Sequence, residues 1–139
     1  MIWVVLAVAA VLAWLLVLRG RLLVVTVHGV SMEPTYHSGD RLLVRRTRLD
    51  RVRAGQVVVV QVKASTPDDP TGGRLVKRAV AVPGDPVPPE IPVPGPRVPV
   101  DSLLVLGDNL ARSNDSRRLG FLSGDALIGV VLRPIGGKR

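Results

Sequence analysis

The stretch GQVVVVQV, residues 55–62, sets four valines in a row between two glutamines. Branched side chains of this kind crowd the preceding turn of a helix and pack well on a pleated surface, so the stretch predicts a strand. Similar segments lie on both sides of it. LLVVTV (22–27) and DRLLVRR (40–46) come before, and LVKRAVAV (75–82), SLLVLGDN (102–109) and ALIGVVLR (126–133) follow. STPDDPTGGR (65–74) has the turn chemistry of a connection, and PGDP closes the strand candidate at 82. Residues 83–100 hold eight of the twelve prolines. Such a stretch suits a ligand for proline-reading domains or, more often, an extended crossover between strands. Frequent short strands, Gly and Pro punctuation and no internal repeat predict an all-β domain, a single small sheet or barrel.

The chain has 139 residues, enough for one domain with a modest core. Apolar residues make up 47% and aromatics only 3%, so valine, leucine and alanine must supply the bulk, which again favours β structure. No cysteine is present, which excludes disulfides, thiolate metal ligands and a cysteine nucleophile. The net charge is +8, and 16 of the 19 basic residues are arginine. Nucleic acid, an anionic membrane surface or a solvated basic face all suit that balance. Single-strand binders interleave aromatics with their charges. Those are missing here, so no nucleic-acid partner is expected and lipid headgroups fit better.

MIWVVLAVAAVLAWLLVL (1–18) carries no charge, and RGR stops it. A spanning helix needs about 20 apolar residues, within a range of about 17 to 25. The stem of Arg19 can snorkel, and Trp3 and Trp14 suit the two interfaces. A cleaved signal peptide is the rival. It would show a basic start, an apolar stretch of about 7 to 15 residues and a small-x-small cleavage site, and LRGRLL (18–23) offers no such site. The expected organisation is a transmembrane anchor over 1–19 and an all-β domain over 20–139. Arg19 and Arg21 follow the helix, and by the positive-inside rule they alone would put the domain in the cytoplasm.

HGVSMEPTYHSGD (28–40) presses Ser31 between valine and methionine on a turn bounded by Gly29 and Pro34. Serine is common in turns, and a nucleophile would also need a base. His28 and His37 are close in sequence, but nothing marks either as that base. Lysine gives another candidate. In this arginine-rich chain only Lys63, Lys77 and Lys138 remain lysine, and lysine, unlike arginine, becomes a neutral base when desolvated. By strict alternation Lys77 shares a strand face with Leu75, Ala79 and Ala81. LGDNLARSNDSRRLG (106–120) is either a loop with Asx turns or a set of groups that orients a base through Ser113, with Asp115 and Arg117 as a bracing ion pair.

Together, GVSMEPTYHSGD, VKRAVAVPGD and GDNLARSNDSR, in that order behind an apolar N-terminus, resemble the three motifs of the type I signal peptidases, the membrane-anchored Ser–Lys endopeptidases. The resemblance implies an all-β fold and signal-peptide cleavage after small-x-small sites. It implies Ser31 as nucleophile and Lys77 as general base, with Ser113 positioning the ammonium, Asp115 and Arg117 bracing, and Met32 packed beside the nucleophile. The oxyanion would be held by the Ser31 N–H and, in some members, by a serine hydroxyl two residues earlier, where this chain has Gly29. Preproteins with signal peptides and membrane lipid are the implied partners, and no metal or other cofactor is expected. The peptide would lie as an extended strand between VVTVHG (24–29) and GRLV (73–76). The family places its catalytic domain on the extracytoplasmic side of the cytoplasmic membrane, against the charge of Arg19 and Arg21. Tyr36 and Leu119 depart from the usual leucine and aromatic, and the short connection between the second and third motifs leaves no room for an extra β subdomain. A processing protease dedicated to one secreted or pilus-type substrate is an alternative. So is an inactive membrane-anchored peptide-binding module.

Overall fold

A computed structural model of the chain describes residues 1–64, 66–68 and 72–136. One long helix, α1 (Ile2–Arg21), leads into seven strands. These are β1 (Leu22–Thr26), β2 (Arg41–Arg46), β3 (Val57–Val62), β4 (Gly73–Ala81), β5 (Ser102–Leu106), β6 (Leu122–Ser123) and β7 (Leu127–Gly136). All pair antiparallel in a single sheet of order β1-β2-β7-β3-β4-β5-β6. The all-β domain behind an apolar helix is therefore what the chain forms. α1 is long and apolar enough to cross a membrane and none of it is buried. It outlasts the apolar run by taking in Arg19, Gly20 and Arg21, and its final cap residue, Leu22, is already extended.

The valine run has a specific physical basis. Val57 and Val59 face one core, with Val25, Val27, Met32, Leu42, Val44 and Val76. Val58 and Val60 face the other, with Val52, Ala79, Leu103, Val105, Leu122 and Val130. A strand covered on both faces needs apolar residues at every position rather than at alternate ones. Each of the four is buried, which contributes roughly 1.5 to 3 kcal/mol per side chain.

The proline-rich stretch is not a crossover. It joins β4 to β5, which are direct neighbours in the sheet, and it folds over their far face. Ile91 and Val98 are buried there against Ala81, Leu104 and Leu106. Its prolines remove backbone donors that a ladder would have to satisfy, and turns at 83–84 and 89–90 with a bridge between Pro86 and Arg97 fold the stretch back so that Ile91 and Val98 reach the core. The alternation expected along β4 also breaks. A register irregularity between Ala79 and Ala81 sends Ala79 into one core and Ala81 into another. An extra residue in one strand redirects the side chains beyond it, so Ala81 does not share Lys77's surroundings.

Candidate active site

Ser31 sits on the turn between β1 and β2. The turn is closed below by backbone bonds from Val27 N–H to Asp40 O (2.8 Å) and from Gly39 N–H to Val27 O (2.8 Å). Met32 is 1% exposed and fixed in the first core, so its neighbour Ser31 is turned toward the surface. Asn109 grips the turn from the other side. Its backbone N–H donates to Ser31 O (2.9 Å) and its Nδ2 donates to Val30 O (3.1 Å). Two bonds to successive carbonyls fix the backbone immediately around the serine.

Lys77 lies in β4, paired with Val58 of β3, and is 3% exposed. Its ammonium donates to Ser113 Oγ (3.1 Å). Burial pushes its pKa down; the nearby Asp115 carboxylate opposes this and Arg117 adds to it. Ser31, Met32 and Lys77 line one small cavity of about 50 Å3, together with Thr26, Val27, His28 and Arg74–Val76. An amine whose pKa burial lowers and a half-buried hydroxyl thus line the same cavity.

The third stretch is held by its own side chains. Asp115 is fully buried and caps the short helix α2 (Ser116–Leu119) by accepting from Arg117 N–H. Its Oδ1 accepts from Arg117 Nε (2.9 Å), and its Oδ2 accepts from Gly107 N–H (3.0 Å) and from an Arg117 terminal nitrogen (3.0 Å). Burial alone would raise the Asp115 pKa. Bonds from Arg117, Gly107 and Ser113 outweigh that and keep it below the usual carboxylate range. Ser116 Oγ accepts from Val105 N–H (2.9 Å). β6 pairs only with Ser102 and Leu103 of β5, so Ser116 and Asp115 take the N–H groups that a longer partner strand would have met.

Four residues not singled out from the sequence also build the site, besides Asn109. A Cβ on Gly107 would overlap Ser113 Oγ and Ser31 O, so only glycine lets the lysine's partner approach the serine turn. Arg78 grips Asp108 with Nε on Oδ1 (2.8 Å) and a terminal nitrogen on Oδ2 (2.7 Å). Thr35 donates to the same carboxylate (2.5 Å), so β4, the serine turn and the third stretch meet at Asp108. The signal for these residues was adjacency: GDN lies inside the 106–120 stretch, Thr35 inside the first motif, and Arg78 follows Lys77.

The other candidate bases are placed differently. His28 is exposed at the cavity edge, and no side-chain hydrogen bond involves it among the described residues. His37 is exposed and off the cavity; its backbone N–H donates to Asp40 Oδ2 (2.9 Å). Lys63 is exposed beyond the end of β3, and Lys138 lies outside the described residues. Gly29 has φ +82° with open space where a Cβ would stand, and its N–H donates to Ser38 Oγ (3.3 Å). Among the described residues no group of three or more His, Cys, Asp or Glu side chains is placed to hold a metal ion.

Comparison with known proteins identifies the family. The family model described as signal peptidase, peptidase S26, matches residues 1–91 and 89–135. The chain is 31% identical over 131 residues to "Probable signal peptidase I-1" of Synechocystis sp., covering 73% of this chain and 65% of that protein. It is 30% identical over 122 residues to "Probable signal peptidase I-2" of the same organism, covering 71% and 56%. The chain thus spans less than two thirds of the length of these relatives. Matched along nearly all of its residues by that model, the chain belongs to the signal peptidase family, peptidase S26.

Proposed function

We propose that the chain is a serine endopeptidase that removes signal peptides from preproteins, with Ser31 as nucleophile and Lys77 as general base. The neutral Lys77 amine takes the Ser31 proton as Oγ attacks the scissile carbonyl. The oxyanion forms beside the Ser31 N–H. The lysine ammonium then gives its proton to the leaving amine, and water hydrolyses the acyl-enzyme by the same route. Ser113 holds the Lys77 nitrogen in place, Asp115 and Arg117 brace Ser113, and Met32 anchors the turn. The observation that carries this reading is the buried Lys77 ammonium on Ser113, in one cavity with Ser31.

Two unpaired strand edges support a peptide substrate. β1 pairs only with β2, and the 73–77 half of β4 pairs only with β3 among the described residues. Both edges border the Ser31–Lys77 cavity. An extended chain lying between them gains backbone hydrogen bonds from either side. A cavity of only about 50 Å3 favours small side chains before the cut and excludes leucine sterically. Preproteins are met on the extracytoplasmic face of the membrane, where we place the domain, with α1 as its anchor.

Cleavage of a preprotein carrying an Ala-x-Ala site, by the full chain in detergent, tests the proposal. Wild type should cut after the second alanine and Ser31→Ala should not. Equal cleavage by both, or efficient cutting after a leucine placed there, would overturn it. A panel of unrelated preproteins separates general from dedicated processing.

A further inference from the structure

The cavity that holds Ser31 and Lys77 has an apolar floor and a polar end. Val27, Met32 and Val76 line it and are buried in the first core. Both walls run toward the reacting pair, since β1 leads into the Ser31 turn and β4 reaches Lys77. Side chains two apart on a strand share a face. On β4 the face of Val76 therefore continues upstream to Arg74, and on β3 the face of Val59 continues to Gln61. These residues oppose one another across the strands, Val59 with Val76 and Gln61 with Arg74. The first pair is buried and the second is exposed. Arg74 lines the cavity, and no Asp or Glu does.

An extended peptide between these walls alternates in the same way. With the side chain of the residue before the cut on the floor at Val27 and Val76, that of the third residue before it points the same way. It falls about 6.5 Å upstream, at the level of Arg74 and Gln61. The second and fourth residues face away from both. A methyl group gains nothing from a guanidinium and an amide, whereas a carboxylate accepts hydrogen bonds from each. Aspartate is short enough to remain beside the narrow cavity, and the exposed Arg74 leaves that end open.

We propose, on the peptide placement given above, that Arg74 and Gln61 form a polar seat for the third residue before the cut and that this chain favours aspartate there. Alanine is accepted at that position without the added bonds, and a lysine is repelled by the guanidinium.

Labelled peptides that differ only in carrying Ala, Asp or Lys at the third position before the cut are titrated with the full-length Ser31→Ala protein in detergent. Fluorescence anisotropy reads their binding. Asp should bind about 3- to 10-fold more tightly than Ala, and Lys more weakly than both. Arg74→Gln should bring the three together. Arg74→Glu should reverse the order so that Lys binds best, a gain that misfolding cannot produce. Asp moved to the fourth position should bind like Ala, which separates Arg74 from attraction by the net charge of +8. Equal binding of Asp and Ala, the same gain from Asp at either position, or an Asp preference that survives Arg74→Glu would overturn the proposal. So would no binding of any peptide. Cleavage by the wild-type chain is scored separately: an Asp preference in binding with no peptide cut would sink the peptidase reading and leave the role of Arg74 standing.

Discussion

Lys77 and Arg78 are consecutive cations on β4, and both reach the 106–120 stretch, yet their settings are opposite. Lys77 is buried, and its ammonium donates to a neutral hydroxyl, Ser113. Desolvation therefore wins, and its pKa falls. Arg78 is a third exposed and gripped by both oxygens of Asp108. The bond to that carboxylate, more than the charge alone, holds its proton more firmly than usual. A cation holds its proton less firmly where burial is left uncompensated, and more firmly where a carboxylate meets it directly. The carboxylate that acts on Lys77, Asp115, is occupied by Arg117 and Gly107, which keeps it from neutralising the effect.

Lys77→Arg breaks the contrast most severely. Guanidinium does not deprotonate near neutral pH, so activity should fall as far as in Ser31→Ala, by about 10^4-fold or more. Lys63→Arg should leave it unchanged. Thermal unfolding run beside the assay separates lost chemistry from lost fold. Lys77→Met, which fills similar volume without charge, should also be inactive but no less stable at neutral pH. A lysine whose pKa is depressed on folding destabilises the fold fully below its folded pKa, and that cost fades as pH rises toward the unfolded value.

Ser113→Ala keeps the lysine buried but removes its orienting partner. The expected loss in kcat is on the order of 10- to 1000-fold, with KM little altered. Asn109→Ala frees two carbonyls of the serine turn and should lower kcat by roughly 10- to 100-fold through misplacement of Ser31. On the arginine side, Asp108→Asn should cost about 1 to 2 kcal/mol of stability, read by denaturant unfolding, and reduce activity less than either. The Asp108 pKa is lowered chiefly by its bond to Arg78. Its stabilisation is thus complete above the unfolded value of about 3.9 and lost as pH falls below that through the lower folded value. The wild-type unfolding midpoint should drop in that acid window more than that of Asp108→Asn.

Legibility in the sequence followed the range of the interactions. The valines of β3 announce a strand because their crowding is local, but their burial on both faces depends on β7 arriving from 70 residues further on to lie between β2 and β3. β6 has two residues and leaves no periodic trace. Ser31, Lys77, Ser113, Asp115 and Arg117 could be singled out because they lie in three recognisable motifs. Asn109 and Gly107 lie in the third motif too, but their parts, a clamp on carbonyls and a space for Ser113, exist only once that stretch meets the serine turn. The bulge that separates Ala81 from Lys77 is set by pairing with β5, and strict alternation along β4 has no means of including it.

Direct titration of the Lys77 amine bears most closely on the central claim. With three lysines in the chain, selective lysine labelling gives a sparse NMR spectrum, and Lys77→Arg identifies the resonance. The Lys77 resonance should titrate below the ordinary lysine value of about 10.4, with a midpoint matching the pH at which wild-type cleavage rises. A Lys77 that titrates at or above that value, while cleavage already runs at full rate near neutral pH, would contradict its role as the base.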